Sequence, residues 1–299
     1  MAHQTVLLHE SIDNLDLNEG DIFVDGTLGA GGHSSLVAER FGDNVEIVAI
    51  DRDLDALAQS EERLRTLTST AYFRKESFRN IDQVLEGLGI KKVNAILLDL
   101  GISSDQFEES GRGFTFQKDE PLLMTMSKEE TRFTAAEILN SFDENALEII
   151  LRGFGEERYS RRIAKKIVEM RTTKPFKTTF DLNEAVRAAT PHAYHRGRIH
   201  PSTRTFQALR IAVNEELTAL EEVLDKGFKV LDEGGRFAVI SFHSLEDRIV
   251  KNFFRDKAKA GEGKLITKKP IIPSDEEVRS NPRSRSAKLR VIEKLINNN

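Results

Sequence analysis

The chain contains no cysteine. Disulfides, thiolate metal sites, iron–sulfur clusters and thiol nucleophiles are therefore excluded together. No apolar run approaches the roughly 20 residues that cross a bilayer, so no membrane partner is expected. The first residues, MAHQTVLLHESIDNL, lack the charged-then-apolar pattern of a secretion signal, and a cytoplasmic location is the expectation. Metal-ligand spacing is missing too. Asp51, Asp53 and Asp55 mimic a cation loop only in composition, since they follow a strand inside a cofactor-type motif. There are no internal repeats. An excess of positive charge is also absent: the net charge is -5 and the pI about 5.9. A nucleic-acid partner, if there is one, requires that the basic residues be segregated.

What is present points to a folded, two-part protein. A length of 299 residues suggests about two domains. Hydrophobic residues at 39% supply a core, and charged residues at 31% suit a soluble surface. The first hundred residues alternate strand and helix. IFVD (Ile22–Asp25), EIVAID (Glu46–Asp51), Ala71–Arg74 and VNAILL (Val93–Leu98) read as strands. Their apolar, unalternating character argues for a parallel sheet covered on both faces. From Gly101 to about Pro201 the pattern holds helices but no convincing strand. A long helix is expected near Thr203–Leu231, with Phe206, Leu209, Val213, Leu217, Leu220 and Leu224 in one apolar stripe. DEGG then turns into a strand, RFAVIS (Arg236–Ser241). Two late runs, Lys264–Lys268 and Lys288–Leu295, suit a hairpin closing the sheet edge. A hundred-residue crossover is far longer than usual. The expectation is an α/β domain (residues 1–103 and 204–299) interrupted by an all-helical insertion (104–203).

The turn after the first strand reads Asp25-Gly26-Thr27-Leu28-Gly29-Ala30-Gly31-Gly32-His33. Strand, glycine turn and helix start let a backbone approach a ligand closely. Asp51 ends the next strand, a spacing that suits an acid binding ribose hydroxyls. A dinucleotide fingerprint is not met, because Ser34 stands at its third glycine position. Asp25, just before the turn, would repel a pyrophosphate but attract an ammonium or a sulfonium. Asp99, ending the fourth strand, adds a third acid at the carboxyl ends of the strands, where open α/β sheets bind ligands. Three acids favour S-adenosylmethionine (SAM) over NAD. The competing reading makes Asp25 and Asp51 mere caps of helix N-termini.

Several segments are long and unusual: VLLHESI, VDGTLGAGGHS, AIDRD, ILLDLGISSDQF, GRGFTF, GEERYSRRIAKKI, HPSTRTFQALRIAVNEEL, GGRFAVISFHSLEDRIVK and NPRSRSAKLR. Together they resemble the bacterial RsmH (MraW) family from Val6 to near the C-terminus. The resemblance implies a class I SAM-dependent methyltransferase, Rossmann-like with a mostly parallel sheet and a helical insertion. It implies methylation of the N4 amine of one cytidine in the decoding region of 16S rRNA, in the small ribosomal subunit. Carried onto matching positions, it puts SAM contacts on Gly31, Gly32, His33, Asp51, Phe78, Asp99 and Gln106. Phe78 would then cover the adenine, against a plain reading as core. His33 would act through its backbone. One stretch departs: Asp119–Met126 reads DEPLLMTM where the family usually has DGPLDMRM, so contacts made by residues 120, 123 and 125 do not carry over.

The basic residues are indeed segregated. Val186–Arg210 holds five arginines, three histidines and no acid; Arg152–Arg171 holds seven basic and three acidic residues; Arg279–Lys294 holds six and one. Such patches suit phosphate contacts, with Arg196, Arg198 and Arg204 the chosen RNA contacts. The alternative is ordinary solvated helix surface. Phe180, Tyr194 and Phe206 are aromatics near enough in sequence to stack on a splayed base, although Phe206 also suits the core. Without a cysteine, the covalent route to a cytosine ring carbon is closed, and transfer to an exocyclic amine remains. The Asn/Asp-Pro-Pro-aromatic motif common in amino-methyltransferases is absent; Asp99-Leu100-Gly101-Ile102 stands there instead. Candidate amine acceptors are Asp99, the backbone near Gly101, and Ser241-Phe242-His243. His243 is placed as a proton relay, against a structural histidine; Ser244 with Asp247 reads as a helix-capping pair. The rival functions are a methyltransferase acting on another RNA or DNA amine, and a non-catalytic RNA-binding module that kept the fold.

Overall fold

The computed structural model describes residues 4–68, 70–101, 110–126, 133–197 and 199–296. The chain divides into two compact units, Met1–Gly101 with Leu217–Asn299, and Ile102–Glu216. Among the described residues, no helix is long and apolar enough to cross a membrane.

The first unit is an α/β sheet domain. Its elements are α1 (Leu8–Leu15), β1 (Ile22–Asp25), α2 (Gly32–Phe41), β2 (Glu46–Asp51), α3 (Leu54–Leu64), β3 (Ala71–Lys75), α4 (Ile81–Gly87) and β4 (Val93–Asp99). The seven strands lie in the order β3-β2-β1-β4-β5-β7-β6, where β5, β6 and β7 are the later strands Leu231–Ser241, Gly263–Leu265 and Lys288–Lys294. The pairs from β3 through β5 are parallel, and β7 runs antiparallel to both β5 and β6. This is the class I methyltransferase fold expected. The two late runs do pair, but β7 enters between β5 and β6, so only β6 forms the edge.

Alternation along each strand splits the core in two. Phe23, Ile47, Ala49, Ala95, Leu97, Ala238 and Ile240 face α1, α2 and α3. Val24, Val48, Ile50, Ile96, Leu98, Phe237 and Val239 face the other side. Burial of both faces explains why these strands read as continuous apolar runs rather than alternating ones.

The second unit is helical among its described residues. In chain order it holds α5 (Ala135–Ser141), α6 (Glu144–Gly155), α7 (Ser160–Arg171), α8 (Thr179–Ala189) and α9 (Thr203–Asn214). Its own core gathers Leu139, Leu147, Leu151, Ile163, Ile167, Leu182, Val186, Phe206 and Leu209. At Gly155 a Cβ would sit 2.5 Å from the carbonyl oxygen of Arg204, so α6 and α9 touch backbone to backbone only because that residue is glycine.

The long helix expected near Thr203–Leu231 is two helices. Glu215 takes φ 50° and its N–H closes α9 on the carbonyl of Ile211; α10 (Glu216–Val230) follows. The apolar stripe serves two cores: Phe206 and Leu209 belong to the helical unit, Leu220 and Leu224 to the sheet. The return to the sheet unit therefore follows Glu216 and not residue 204. After β5 come α11 (Ser244–Lys259) and the short α12 (Asp275–Ser280).

The departing segment Asp119–Met126 has local work in this unit. Glu120 Oε2 accepts from the N–H of Gly113 at 2.9 Å. Asn214 holds the segment from both sides, donating to the carbonyl of Met124 and accepting from the N–H of Met126. Thr125 is buried and Leu123 exposed.

Candidate active site

The glycine turn is built by its neighbours. Gly26 has no room for a side chain: a Cβ would lie 2.5 Å from Leu98 Cδ2. Gly29 (φ 49°) and Gly31 (φ 68°) use the left-handed region, which glycine enters without a Cβ penalty. Two side chains of α3 then fix the turn, Ser60 Oγ donating to the carbonyl of Gly29 at 2.8 Å and Arg63 Nη2 to that of Ala30 at 2.5 Å. Gly31 is the N-cap of α2, so residues 31–33 bring a helix N-terminus to the ends of the strands. Such a terminus favours a negative group such as a carboxylate. His33 is buried in the first turn of α2.

Three acids end three adjacent strands. Asp25, on β1, is 1% exposed. Its carboxylate accepts from the Ser34 hydroxyl at 2.6 Å and the Thr27 N–H at 3.2 Å. Burial, and more weakly the charge of Asp51, raise its pKa to about 6 against those donors. Asp25 is thus partly a structural tie to α2, as the capping alternative held. Asp51, on β2, accepts from the Gly29 N–H at 2.7 Å on one oxygen and from the Asp53 N–H at 2.8 Å on the other. Burial pushes its pKa up while those N–H groups pull it down. The Arg52 N–H also points to this carboxylate, which as an acceptor with about four lone-pair sites keeps room for a further donor. Asp99, on β4, is raised to about 7, first by burial and then by the charges of Asp25 and Glu246, against the N–H of Gly101. Its own N–H donates to Thr27 Oγ1 at 2.6 Å. Phe78 opens a short 3-10 turn (Phe78–Asn80) after β3 and is half-buried near Gly26.

The end of β5 completes this edge of the sheet. A Cβ on Gly101 would lie 3.0 Å from the Phe242 ring and 3.4 Å from Asp99 Oδ1. Ser241 is buried and its hydroxyl turns toward the Lys288 carbonyl. His243 is the N-cap of α11: its Nδ1 accepts from the Glu246 N–H at 3.4 Å, and Nε2 lies 3.1 Å from Glu246 Oε1. Glu246 in return accepts from the N–H groups of Phe242 and His243. The capping pair is thus His243 with Glu246, one residue earlier than Ser244 with Asp247. Asp247 instead binds Lys288 and Arg290 of β7, at 3.0 and 2.7 Å. Only Nδ1 of the His243 ring is engaged in the cap, and Nε2 is buried without a hydrogen-bond partner among the described residues. Glu246, 3% exposed, is the functional-edge acid that sequence reasoning missed. Its signal, an acid three residues after an N-cap, was masked by the overlapping Ser-x-x-Asp pattern.

The N-terminal segment lies against the same turn. A Cβ on Gly32 would fall 1.8 Å from Thr5 Oγ1. Glu277 of α12 accepts from the Leu7 N–H, and Asn281 donates to the Gln4 carbonyl. The strap is therefore held from the far end of the sequence.

Gly31, Gly32, His33, Asp51, Phe78 and Asp99 all stand at the carboxyl end of the sheet, on its strand ends and the segments that follow them. Gln106 lies outside the described residues. None of Asp25, Asp51 and Asp99 is paired with a lysine or arginine among the described residues. Burying carboxylates without cations is costly, and their raised pKa values express that cost. A ligand that brings an ammonium and a sulfonium supplies the missing charge, and the donor set fits SAM.

The profile of the MraW methylase family matches residues 1–295. The chain belongs to this family. It is 43% identical to "Ribosomal RNA small subunit methyltransferase H" of Lachnospira eligens, covering 98% of each chain. Identity to the Synechococcus elongatus protein of the same name is 47%, over 98% of this chain and 95% of that one. For the Clostridioides difficile protein it is 41%, over 98% and 99%.

The basic patches divide on inspection. In the helical unit Arg196 is exposed at the end of a 3-10 turn (His192–Arg196), Arg204 is half-buried in the first turn of α9, and Arg198 lies outside the described residues. Arg210 is held by both oxygens of Glu216. Arg171 donates to the carbonyls of Leu139 and Phe142. In the third patch Lys288 and Arg290 hold Asp247, and Lys294 closes the end of α10 through the carbonyls of Phe228 and Leu231. Much of that patch serves the fold. Phe206 is buried, while Phe180 is 48% exposed.

Proposed function

We propose that this chain methylates the N4 amine of a cytidine in the decoding region of 16S rRNA, using SAM. The observation that carries the reading is the trio of strand-end carboxylates, without cations among the described residues, set around a glycine turn and a helix N-terminus. Family membership and relatives named for small-subunit rRNA methylation support small-subunit rRNA as the substrate class. The place of action follows the substrate and is the cytoplasm.

When bound, SAM supplies a methyl group on a positively charged sulfur. The N–H groups at residues 31–33 hold its carboxylate. Asp51 accepts from the ribose hydroxyls through its remaining lone pairs, and Phe78 covers the adenine. Asp99 is the acid assigned to the positive end. Its place at the end of β4, beside Gly101, also suits it to accept a hydrogen bond from the target amine. Transfer of that methyl group to the amine would release the sulfur as a neutral thioether and would require the nitrogen to lose one proton. Asp99 is the carboxylate placed to accept that proton. No covalent enzyme–base adduct is needed. Arg196, Arg198 and Arg204 contact RNA phosphates.

The test is nucleoside analysis of small-subunit rRNA from cells with and without the protein. N4-methylcytidine derivatives should vanish from the decoding region when the protein is absent. Unchanged rRNA nucleosides, with SAM still bound by the purified chain, would favour a methyltransferase with another substrate.

A further inference from the structure

The helical unit carries a cleft of about 680 Å3 that the methyl-transfer chemistry leaves unused. Its walls are one face of α8 and the turn that follows. Phe180, Glu184 and Arg187 recur at helical spacing on that face, and Thr190, His192 and His195 close the far side. A large aromatic ring, 48% exposed at the mouth of a cleft, has no role in the unit's core. Phe180 also borders a second, smaller hollow that contains Lys177. The ring is therefore a ridge with Arg187 on one side and Lys174 and Lys177 on the other, where Asp119 and Asp181 also lie, and Glu184 borders both hollows.

The acids nearby are mostly engaged. Asp181 is tied to Lys174 and to the N–H groups of Lys177 and Thr178. Asp119 accepts from the Phe180 N–H. Glu184 is the exception and remains an exposed acid on the wall. His195 is oriented by its neighbour. The single proton of the Thr190 hydroxyl goes to the Val186 carbonyl at 2.7 Å, so His195 Nε2 must donate to Thr190 Oγ1 at 2.8 Å.

We propose that this cleft seats one unpaired nucleotide of the RNA, its base stacked on Phe180 and its phosphates toward Arg187 and His192. An exposed ring with a cation within reach on either side, here Arg187 and Lys177, is an arrangement that holds single-stranded nucleic acid. The inference rests on the RNA-modifying reading and adds a docking point lined wholly by the helical unit.

The experiment measures binding of a fluorescein-labelled, mixed-sequence single-stranded RNA dodecamer to the full chain, with SAM affinity and melting temperature as controls. Phe180→Ala should weaken binding roughly fivefold to a hundredfold and leave the salt slope unchanged. Phe180→Tyr should keep affinity, because the ring face survives. Arg187→Ala should weaken binding and flatten the salt slope by about one. Glu184→Gln should tighten binding about twofold, since it removes the repelling charge. The proposal is overturned if Phe180→Ala binds RNA within twofold of the parent with both controls intact. It is also overturned if the parent does not bind the dodecamer, whereas the rRNA nucleoside analysis judges the methyltransferase reading by itself.

Discussion

Replacing Asp99 by asparagine should make the protein more stable and a worse SAM binder at once. Asn keeps the shape and can still accept from the Gly101 N–H, but it carries no charge. In the parent, the pKa of Asp99 rises from 3.8 to about 7, because of burial and the charges of Asp25 and Glu246. Each tenfold change in proton affinity is worth about 1.4 kcal/mol, so ionising Asp99 in the fold costs up to about 4 kcal/mol. The sign follows from linkage. The raised pKa favours the folded state fully below pH 3.8; that advantage is lost as pH rises toward 7 and is gone above it. Asn has no such loss. The stability of the variant relative to the parent should therefore grow with pH, by about 1–3 kcal/mol between pH 5 and pH 8, since Asp25 and Glu246 share the relief. For a unit of this size that is a gain of roughly 2–10 °C in melting temperature. SAM binding should move the other way, weakened roughly tenfold or more by loss of a charge-assisted hydrogen bond. Melting curves at the two pH values and calorimetric titration with SAM read both effects. A difference in melting temperature that stays constant or shrinks between pH 5 and pH 8 would refute the account of Asp99 as a half-buried charge without a cationic partner among the described residues.

Asp51→Ala should weaken SAM binding by roughly tenfold or more, and unchanged affinity by calorimetry would remove Asp51 from the ribose. Gly32→Ala should lower stability and SAM affinity through the clash with Thr5, and Thr5→Gly in the same chain should restore most of both; no rescue would mean that the strap is not what Gly32 accommodates. Replacing Arg196, Arg198 and Arg204 together should weaken RNA binding and make its salt dependence shallower, with SAM affinity kept; equal slopes would place these arginines away from phosphates. His243→Asn should preserve the cap of α11 and keep single-turnover methyl transfer within about fivefold, whereas a loss of roughly a hundredfold at normal melting temperature would give the imidazole a proton-handling role.

The sheet was legible because its strands are buried on both faces, which concentrates Ile, Val, Leu and Ala in IFVD, EIVAID and VNAILL. The candidate cofactor site was legible for a related reason: a glycine turn and an acid at the next strand end are local features of sequence. Contacts set by distant parts of the chain were not. Nothing in Thr203–Leu231 announces the break at Glu215, because the apolar stripe continues across it while changing the core it feeds. The strap is equally silent, since Thr5 meets Gly32 only when Glu277 and Asn281 hold residues 4–7 in place. The capping residue of α11 was misread by one position because serine outranks histidine as an N-cap, and the structure uses the histidine.

Charge ties the two units into one argument. An acidic chain that binds RNA must keep its cations off its own acids where the RNA lies, and its acids off its own cations where the cofactor lies. The sheet unit does the second: Lys288 and Arg290 are held on Asp247, and Lys294 is spent on backbone carbonyls, while Asp25, Asp51 and Asp99 have no cationic partner among the described residues. The helical unit does the first at α8, where Lys174 takes Asp181 and the arginine of the next turns stays exposed. A buried carboxylate with no cation is a standing cost to the fold. Such a cost is tolerable where a ligand regularly offsets it, and this is why the raised pKa of Asp99 points to a positively charged ligand rather than to a defect of packing.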